Sequence, residues 1–392
     1  MPRRKIKNLQ KAATRIQKAI LHQENIIIVG DVDPDGVAST IILKETVEAL
    51  GGEVKCCYFP DYFKESHGLS RTALEFLAPY QPGLIILVDL GIGSYEEVEW
   101  AKKQGFRVVI IDHHQVLKMP LAEVVVNPQQ SGETYPFREF SAGGLVYKLA
   151  QVMLKGCPRQ AELERNFSEL AMISTIADMM PLREDNEGIV EEGMKNLPLT
   201  NRPALQNLLK RYVPHAHSLG EAVRAIIGVL NVSQLEEYHL AESFLLLTSK
   251  KTEEIDNLIW QLEERVQQRR EERDRVVKGV EEKIAGQEPA FSGQGPALIF
   301  EGGKDWLFPV AGSAASVLVK RYQRPVFLYF QGPEISRGSV RAPEGIDSVK
   351  LMEKCQELLL NFGGHPRASG FRLETKNLEK FKACLEKHYG ED

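Results

Sequence analysis

The stretch NIIIVGDVDPDGVAST, Asn25 to Thr40, sets an unbroken apolar run directly before three aspartates at every second position, Asp31, Asp33 and Asp35. A run this short and this apolar is the mark of a strand buried on both faces. Three carboxylates so close repel one another, and the repulsion grows where burial lowers the dielectric. The stretch therefore predicts two things together: a buried strand, and a positive group at its carboxyl end.

The same pattern recurs on either side. After the aspartates, GVASTIILKETVEALGG reads as a helix that closes on Gly51 and Gly52. LIILVDLGIGS from Leu84, SYEEVEWAKKQG from Ser94 and RVVIIDHHQ from Arg107 repeat apolar strand, polar turn and helix. Short apolar strands alternating with helices predict a parallel sheet covered on both faces. Before it, Ile6, Leu9, Ala12 and Ile16 recur at helical spacing and predict an amphipathic helix to Leu21, basic on its other face.

Three acidic stretches then fall at three strand ends. Asp31, Asp33 and Asp35 follow the first, Asp89 ends the second, and Asp112, His113 and His114 end the third. In an open α/β sheet the carboxyl ends of the strands form the ligand crevice, so these groups should converge there. Carboxylates with one or two imidazoles suit a divalent ion such as Mn²⁺ or Mg²⁺, and several together hold two such ions. Taken singly, each feature has a plainer reading: D-x-D-x-D-G as a calcium-binding or Asx turn, Asp89 as a helix cap, His-His as surface or core. Their joint placement at successive strand ends favours the metal site.

The rest of the chain predicts a second unit. From Lys251 to Gly286, Ile255, Ile259, Leu262, Val266, Val277, Val280 and Ile284 lie at helical spacing around a charge-dense middle, QQRREERD. This predicts one long connecting helix over 251–286, between a catalytic domain over 1–250 and a smaller α/β domain over 287–392. In the latter, PALIF, GSAASVLVKRY, RPVFLYF, SRGSVRAP, a helix from Val349 to Leu360 and GFRLE alternate strands and helices. In NFGGHPRASG, Gly363 and Gly364 permit either a tight turn or, with a helix starting nearby, an anion site to which His365 donates.

Composition narrows the function classes. With 392 residues, two or three domains are the natural expectation, and 43% hydrophobic with 26% charged residues is ordinary for a globular protein. A net charge of −5 gives no whole-chain basic signature, so a nucleic-acid partner must be met by a local surface or by metals. The five cysteines, 56, 57, 157, 355 and 384, are odd in number and lack paired C-x-x-C spacings, which predicts reduced thiols and no structural zinc. No stretch reaches membrane-spanning length and the basic N-terminus has no apolar leader core, so the expected location is the cytoplasm.

Six motifs in order carry a resemblance over nearly the whole chain: VGDVDPDGVAST, VDLGIGS, IDHHQ, VNPQQ with SAGGLVYKL, ISTIADMMPL around Asp178, and NFGGHPRASGF. Together they resemble the DHH phosphoesterase superfamily and, within it, the RecJ single-strand-specific exonucleases. The resemblance implies that Asp33, Asp35, Asp89, His113 and Asp178 are metal ligands, with Asp31 substituting for a family histidine or sitting behind the ligands, since Val29 stands where many relatives place that histidine. It implies that His114 faces the scissile phosphate, that Asp112 orients a histidine, and that Arg341, Gly363, Gly364 and His365 grip the nucleotide chain. Leu90 stands where an Asn is common, and Leu307 and Val317 where a His and an Arg are usual. The chain ends soon after the glycine-histidine motif, leaving no room for the OB-fold that such exonucleases often add, which puts processive digestion in doubt.

The activity so implied is metal-dependent hydrolysis of single-stranded nucleic acid, DNA favoured, 5′ to 3′ to mononucleotides, with two divalent ions. The alternative within the superfamily is a nano-oligonucleotide or cyclic-dinucleotide phosphodiesterase. Two readings of other functional classes are an inorganic pyrophosphatase, which would use a similar first domain but whose dedicated basic ligands are missing, and an inactive replication-complex scaffold. The partners implied are single-stranded nucleic acid or a short oligonucleotide and replication or repair proteins, with no membrane.

Overall fold

The computed structural model describes residues 5–62, 64–65, 68–287, 298–306 and 308–389, so Leu307 and the first four residues of the basic N-terminus lie outside the described residues. The chain divides into two units, Met1–Glu263 and Glu264–Asp392. The helix Thr252–Gln287 contributes residues to both. No helix among the described residues is long and apolar enough to cross a membrane.

The first unit is built on a five-stranded parallel sheet in the order β2-β1-β3-β4-β5, with β1 Asn25–Gly30, β2 Val54–Tyr58, β3 Gly83–Val88, β4 Arg107–Ile111 and β5 Val124–Val126. Ile26 to Val29, Leu84 to Val88 and Val108 to Ile111 are all buried, which is why these strands read as continuous apolar runs rather than alternating ones. The helix Leu9–Leu21 buries Leu9, Ala12, Ala13, Ile16 and Ala19 and leaves Lys11 and Lys18 exposed, as its periodicity predicts, while Arg15 is largely covered and pairs with Glu24 and Glu123. Strand register then positions the site. Gly30 pairs with Val88, Val88 with Ile111, and Ile111 with Val126, so Asp31, Asp89, Asp112 and Asn127 each follow the same row of the sheet.

The second unit carries a mixed five-stranded sheet, order β6-β7-β8-β10-β9, from β6 Ile299–Gly303, β7 Val326–Phe330, β8 Ile335–Arg341, β9 Asn361–His365 and β10 Ala368–Glu374. Only β6 and β7 are parallel; the other pairs are antiparallel. Three sequence expectations are corrected here. The predicted helix Val349–Leu360 is a short helix, Ser348–Glu353, followed by a single 3₁₀ turn, Gln356–Leu358. No helix begins at NFGGHPRASG: its two glycines lie in β9 of a β-hairpin, because Gly363 pairs with Gly370 across the ladder. The thiols are not all reduced. Cys355 and Cys384 form a disulfide, S–S 2.08 Å, while Cys56, Cys57 and Cys157 are free. Both bonded cysteines pack in one apolar cluster with Phe371 and Phe381, and their separation of 29 residues leaves no local spacing to read.

Candidate metal centre

The turn after β1 sets the acidic cluster. Asp33 caps the helix Pro34–Ala49: one carboxylate oxygen accepts from the amides of Asp35 and Gly36, each at 3.0 Å, and Pro34 fits the first helical position, where no amide donor is needed. Gly36 packs so tightly on Asp31 that a Cβ there would collide with its backbone. Asp35, on the first turn, is 1% exposed.

A buried carboxylate needs donors, and a second helix supplies them. The amides of Ala142 and Gly143, at the start of the helix Ala142–Met153, donate to Asp35 at 2.9 and 2.7 Å. A helix N-terminus is a ready anion site, and here the anion is a side chain of the same protein. Ser174 Oγ donates to Asp35 at 2.6 Å and lies 2.7 Å from Ser141 Oγ, while Ser141 caps the same helix through the amide of Gly144. Gly143 is required at this point, since a Cβ would collide with Ser174. One turn beyond Ser174, Asp178 ends the helix Gln160–Ala177.

Asp89 leaves β3 in the left-handed region, φ 63°, an unusual backbone for a residue other than glycine, while its amide still donates to Ile111 at 3.0 Å. Its carboxylate lies 3.2 Å from Nε2 of His113. The same nitrogen lies 3.8 Å from Asp35 and 3.5 Å from Asp178. One buried imidazole thus faces three carboxylates drawn from three separate elements. Two overlapping trios, Asp35–His113–Asp178 and Asp89–His113–His114, each bring their donor atoms within 4.8 Å of one another. Asp31 and Asp33 belong to neither trio but border them.

Asp112 has a different task. Its Oδ1 accepts from the amides of His113 and His114 at 2.7 and 3.0 Å and lies 2.8 Å from His114 Nδ1, while Oδ2 accepts from the amide of Ile92 at 3.0 Å. Burial pushes this carboxyl up, but the bond and charge of His114 outweigh it and hold it at about 2. Burial likewise pulls His114 down, and its bond to Asp112 raises it to about 9. The imidazole of His114 is half exposed, so Asp112 fixes one ring nitrogen and leaves the other to the solvent side. Asn127 secures the loop by donating to the carbonyl of His114 at 3.0 Å.

The remaining carboxylates are held in an unfavourable state. Burial first, then the charges of Asp31 and Asp35, push Asp33 well above the usual carboxylate range. Burial and the charges of Asp35, Asp33 and Asp31 do the same to Asp89, and burial with Asp35 raises Asp178 to about 7. Oδ2 of Asp178 is buried and accepts no hydrogen bond among the described residues. A hard divalent cation fits this donor set, because it would neutralise the repulsion and fill the remaining oxygen and nitrogen lone pairs.

The residues of the second unit that the sequence offers as a substrate grip lie on its sheet. Arg341 ends β8 opposite Ala368, which is opposite His365. The only side-chain hydrogen bond of Arg341 among the described residues runs from Nη1 to the carbonyl of Val340, 2.9 Å, and burial lowers its pKa. Gly363 and exposed His365 lie on β9, and Gly364 adopts φ 130°.

Sequence reasoning missed several contributors. The donors to Asp35 come from positions 142, 143 and 174, and only the Ser-Ala-Gly-Gly start of a helix hinted at an N-terminal anion site. Tyr62 was also missed: it sits beside the cluster, where burial and the charge of Asp31 push its phenol well up.

Known proteins resemble the chain in sequence and fold. Residues 25–179 match the DHH family, N-terminal domain, and residues 294–391 match the DHHA1 domain, so the chain carries a DHH-family N-terminal domain followed by a DHHA1 domain. Its relatives include the single-stranded-DNA-specific exonuclease RecJ of Bacillus subtilis, 33% identical over 387 residues, covering 97% of this chain and 47% of that protein. RecJ of Thermus thermophilus is 29% identical over 387 residues, with 97% and 54% covered. The chain thus spans about half the length of these two relatives. A crystal structure of exonuclease RecJ bound to manganese superposes with TM-score 0.78 at 25% identity, covering 100% of this chain and 97% of that one. The Thermus thermophilus RecJ in complex with Mn²⁺ shares the fold at TM-score 0.84 and 24% identity, over 100% of this chain and 55% of that one.

Proposed function

We propose that this chain hydrolyses phosphodiester bonds in single-stranded nucleic acid, DNA first, as a RecJ-like 5′ to 3′ exonuclease. The observation that carries the reading is the register-aligned acidic edge of the first sheet, where His113 faces Asp35, Asp89 and Asp178. Asp33, Asp35, Asp89, His113 and Asp178 would hold two divalent ions, Mn²⁺ or Mg²⁺, with Asp31 alongside. Such ions supply positive charge to the cluster and lower the pKa of water for attack on phosphorus.

The chain's own residues do the rest. The helix start at Ala142 and Ser174 hold Asp35 in one orientation. Asp112 fixes Nδ1 of His114, so that Nε2 donates to a non-bridging phosphate oxygen as charge accumulates in the transition state. In this division of labour residues 1–250 cut, 251–286 connect, and 287–392 grip the strand through Arg341, Gly363, Gly364 and His365. The RecJ relatives and the manganese-bound structure support the reading.

The test is hydrolysis, with Mn²⁺, of end-labelled DNA and RNA strands graded from a dinucleotide to a few tens of nucleotides, beside a cyclic dinucleotide and pyrophosphate. Stepwise release of mononucleotides from the 5′ end of long strands is expected. Activity confined to the shortest substrates would move the chain to the nano-oligonucleotide or cyclic-dinucleotide branch, and activity on none would leave the scaffold reading.

A further inference from the structure

The second sheet has two unlike faces. One carries Phe300, Phe327, Val340, Phe371 and Leu373 and packs against Leu351, Met352, Phe381 and Leu385. On the other, the helix Phe308–Tyr322 lays Val310, Ala311, Ala314 and Leu318 over Val326 and Leu328 of β7. The same helix reaches β8, where its Gly312 lies against Arg341 and Ser339, and β10 and β9 extend beyond it on this second face.

Register shows what that strip carries. Along β8 the buried Ser336, Gly338 and Val340 alternate with half-buried Arg337, Ser339 and Arg341. Arg337 pairs with Arg372, and Arg372 with Asn361. Ser339 pairs with Gly370, and Gly370 with Gly363. Residues directly opposite in a ladder share a face. The strip therefore has two arginines at one end, Arg341 and His365 at the other, and a floor of serine and glycine between them. Four residues of strand separate the ends, about 13 Å, which takes more than one nucleotide repeat to span.

Two like charges placed directly opposite destabilise a sheet unless something answers them. Among the described residues of the second unit nothing does, for neither the Arg337 nor the Arg372 guanidinium forms an ion pair or donates a hydrogen bond there. The nearby carboxylate on the same face, Glu374, is 2.7 Å from Lys376 Nζ. Two planar guanidinium forks on paired strands, next to a row of one serine and two glycines, match a phosphate, which each fork can take in two hydrogen bonds.

We propose that Arg337 and Arg372 form a second phosphate subsite for single-stranded nucleic acid, so that the second unit senses strand length. This rests on the nucleic-acid reading above and extends it to a position outside the glycine-histidine motif. The occupant is the phosphodiester backbone, contacted without regard to base sequence.

The experiment measures binding of end-labelled DNA strands of two and eight nucleotides by fluorescence anisotropy over a salt series, with a chelator present so that nothing is cut. It compares the unaltered chain with three double variants: R337Q/R372Q, R337K/R372K and, on the helix Leu378–Tyr389 under the opposite face, K380Q/K387Q. The unaltered chain should gain affinity with length. In R337Q/R372Q that gain should shrink about tenfold, and the slope of log K against log salt should fall by about 0.7 for each phosphate no longer neutralised. R337K/R372K should keep most of the slope and K380Q/K387Q all of it. An unchanged slope and length gain in R337Q/R372Q, or an equal drop in K380Q/K387Q, would overturn the subsite. Hydrolysis with Mn²⁺ separates the two readings. A chain that binds eight nucleotides with this salt signature and cuts none would take down the exonuclease reading alone; one that cuts normally with an unchanged slope in R337Q/R372Q would take down the subsite alone.

Discussion

The carboxyl edge of the first sheet and the open strip of the second both gather like charges on aligned strands, yet they do so in opposite ways. At the edge, Asp35 accepts three hydrogen bonds and Asp112 is met by four donors, so the chain has already committed its amides to orienting these carboxylates. Burial raises the charge cost of the rest. On the strip, half-buried Arg337 and exposed Arg372 have no such partners among the described residues, and solvent screens them. The difference teaches what each region can bind. Buried repulsion calls for a compact ion of opposite charge, whereas exposed repulsion suits a polyanion that comes and goes with salt.

The largest break in this comparison should come from Asp89→Ala. It removes one of the carboxylates facing His113 and relieves repulsion on Asp33 and Asp35. Hydrolysis should fall by three orders of magnitude or more, well beyond the roughly 10–100-fold that a residue merely supporting a ligand costs. Thermal stability without metal should hold or rise. Normal single-turnover rates in this variant would remove the metal reading of the edge.

Asp112→Asn tests orientation rather than charge. The amide cannot accept from Ile92, His113 and His114 as the carboxylate does, so kcat should fall about 10–100-fold, with a stability loss of about 1–3 kcal/mol for the donors left unmet. An unchanged kcat with lowered stability would make Asp112 purely structural. Ser174→Ala should do less. Asp35 keeps its two amide donors, and Mn²⁺ affinity by titration calorimetry should weaken about tenfold; no change would mean the helix start alone sets Asp35.

How much of this was legible follows from how far apart the partners lie. The strands and the acidic edge were readable because a buried parallel strand writes its whole length as one apolar run and the charged residues at its carboxyl end come next, as in Ile26–Val29 and Asp31, or Val108–Ile111 and Asp112. The donors to Asp35 were not, since they reach across 107, 108 and 139 residues. The glycines of NFGGH misled because glycine signals a turn or helix start more often than a strand; Gly364 is needed for φ 130° and its close approach to Ala368 and Ser369, whereas a Cβ at Gly363 would meet open space. Arg337 stands out in sequence only for its glycine neighbour and Arg372 not at all; strand register alone makes them neighbours.

The smallest effect should come from a carboxylate that shares the burial of the acidic edge without its company. Glu169, on the helix Gln160–Ala177, is 1% exposed, and burial raises it to about 7, with Arg202 pulling the other way. The folded chain therefore keeps a proton that the unfolded chain releases near its ordinary value of 4.5. The sign follows from linkage: stability from this group is full below pH 4.5, declines as pH rises toward 7, and is flat above. Glu169→Gln lacks that decline. Its melting temperature relative to the unaltered chain should rise by a few degrees between pH 5 and pH 8, corresponding to at most about 3 kcal/mol, with hydrolysis unaffected. A difference independent of pH would show that Glu169 is ionised in the fold. Burial alone would then be too weak to shift a carboxylate here, and the raised groups of the acidic edge would owe their state to one another.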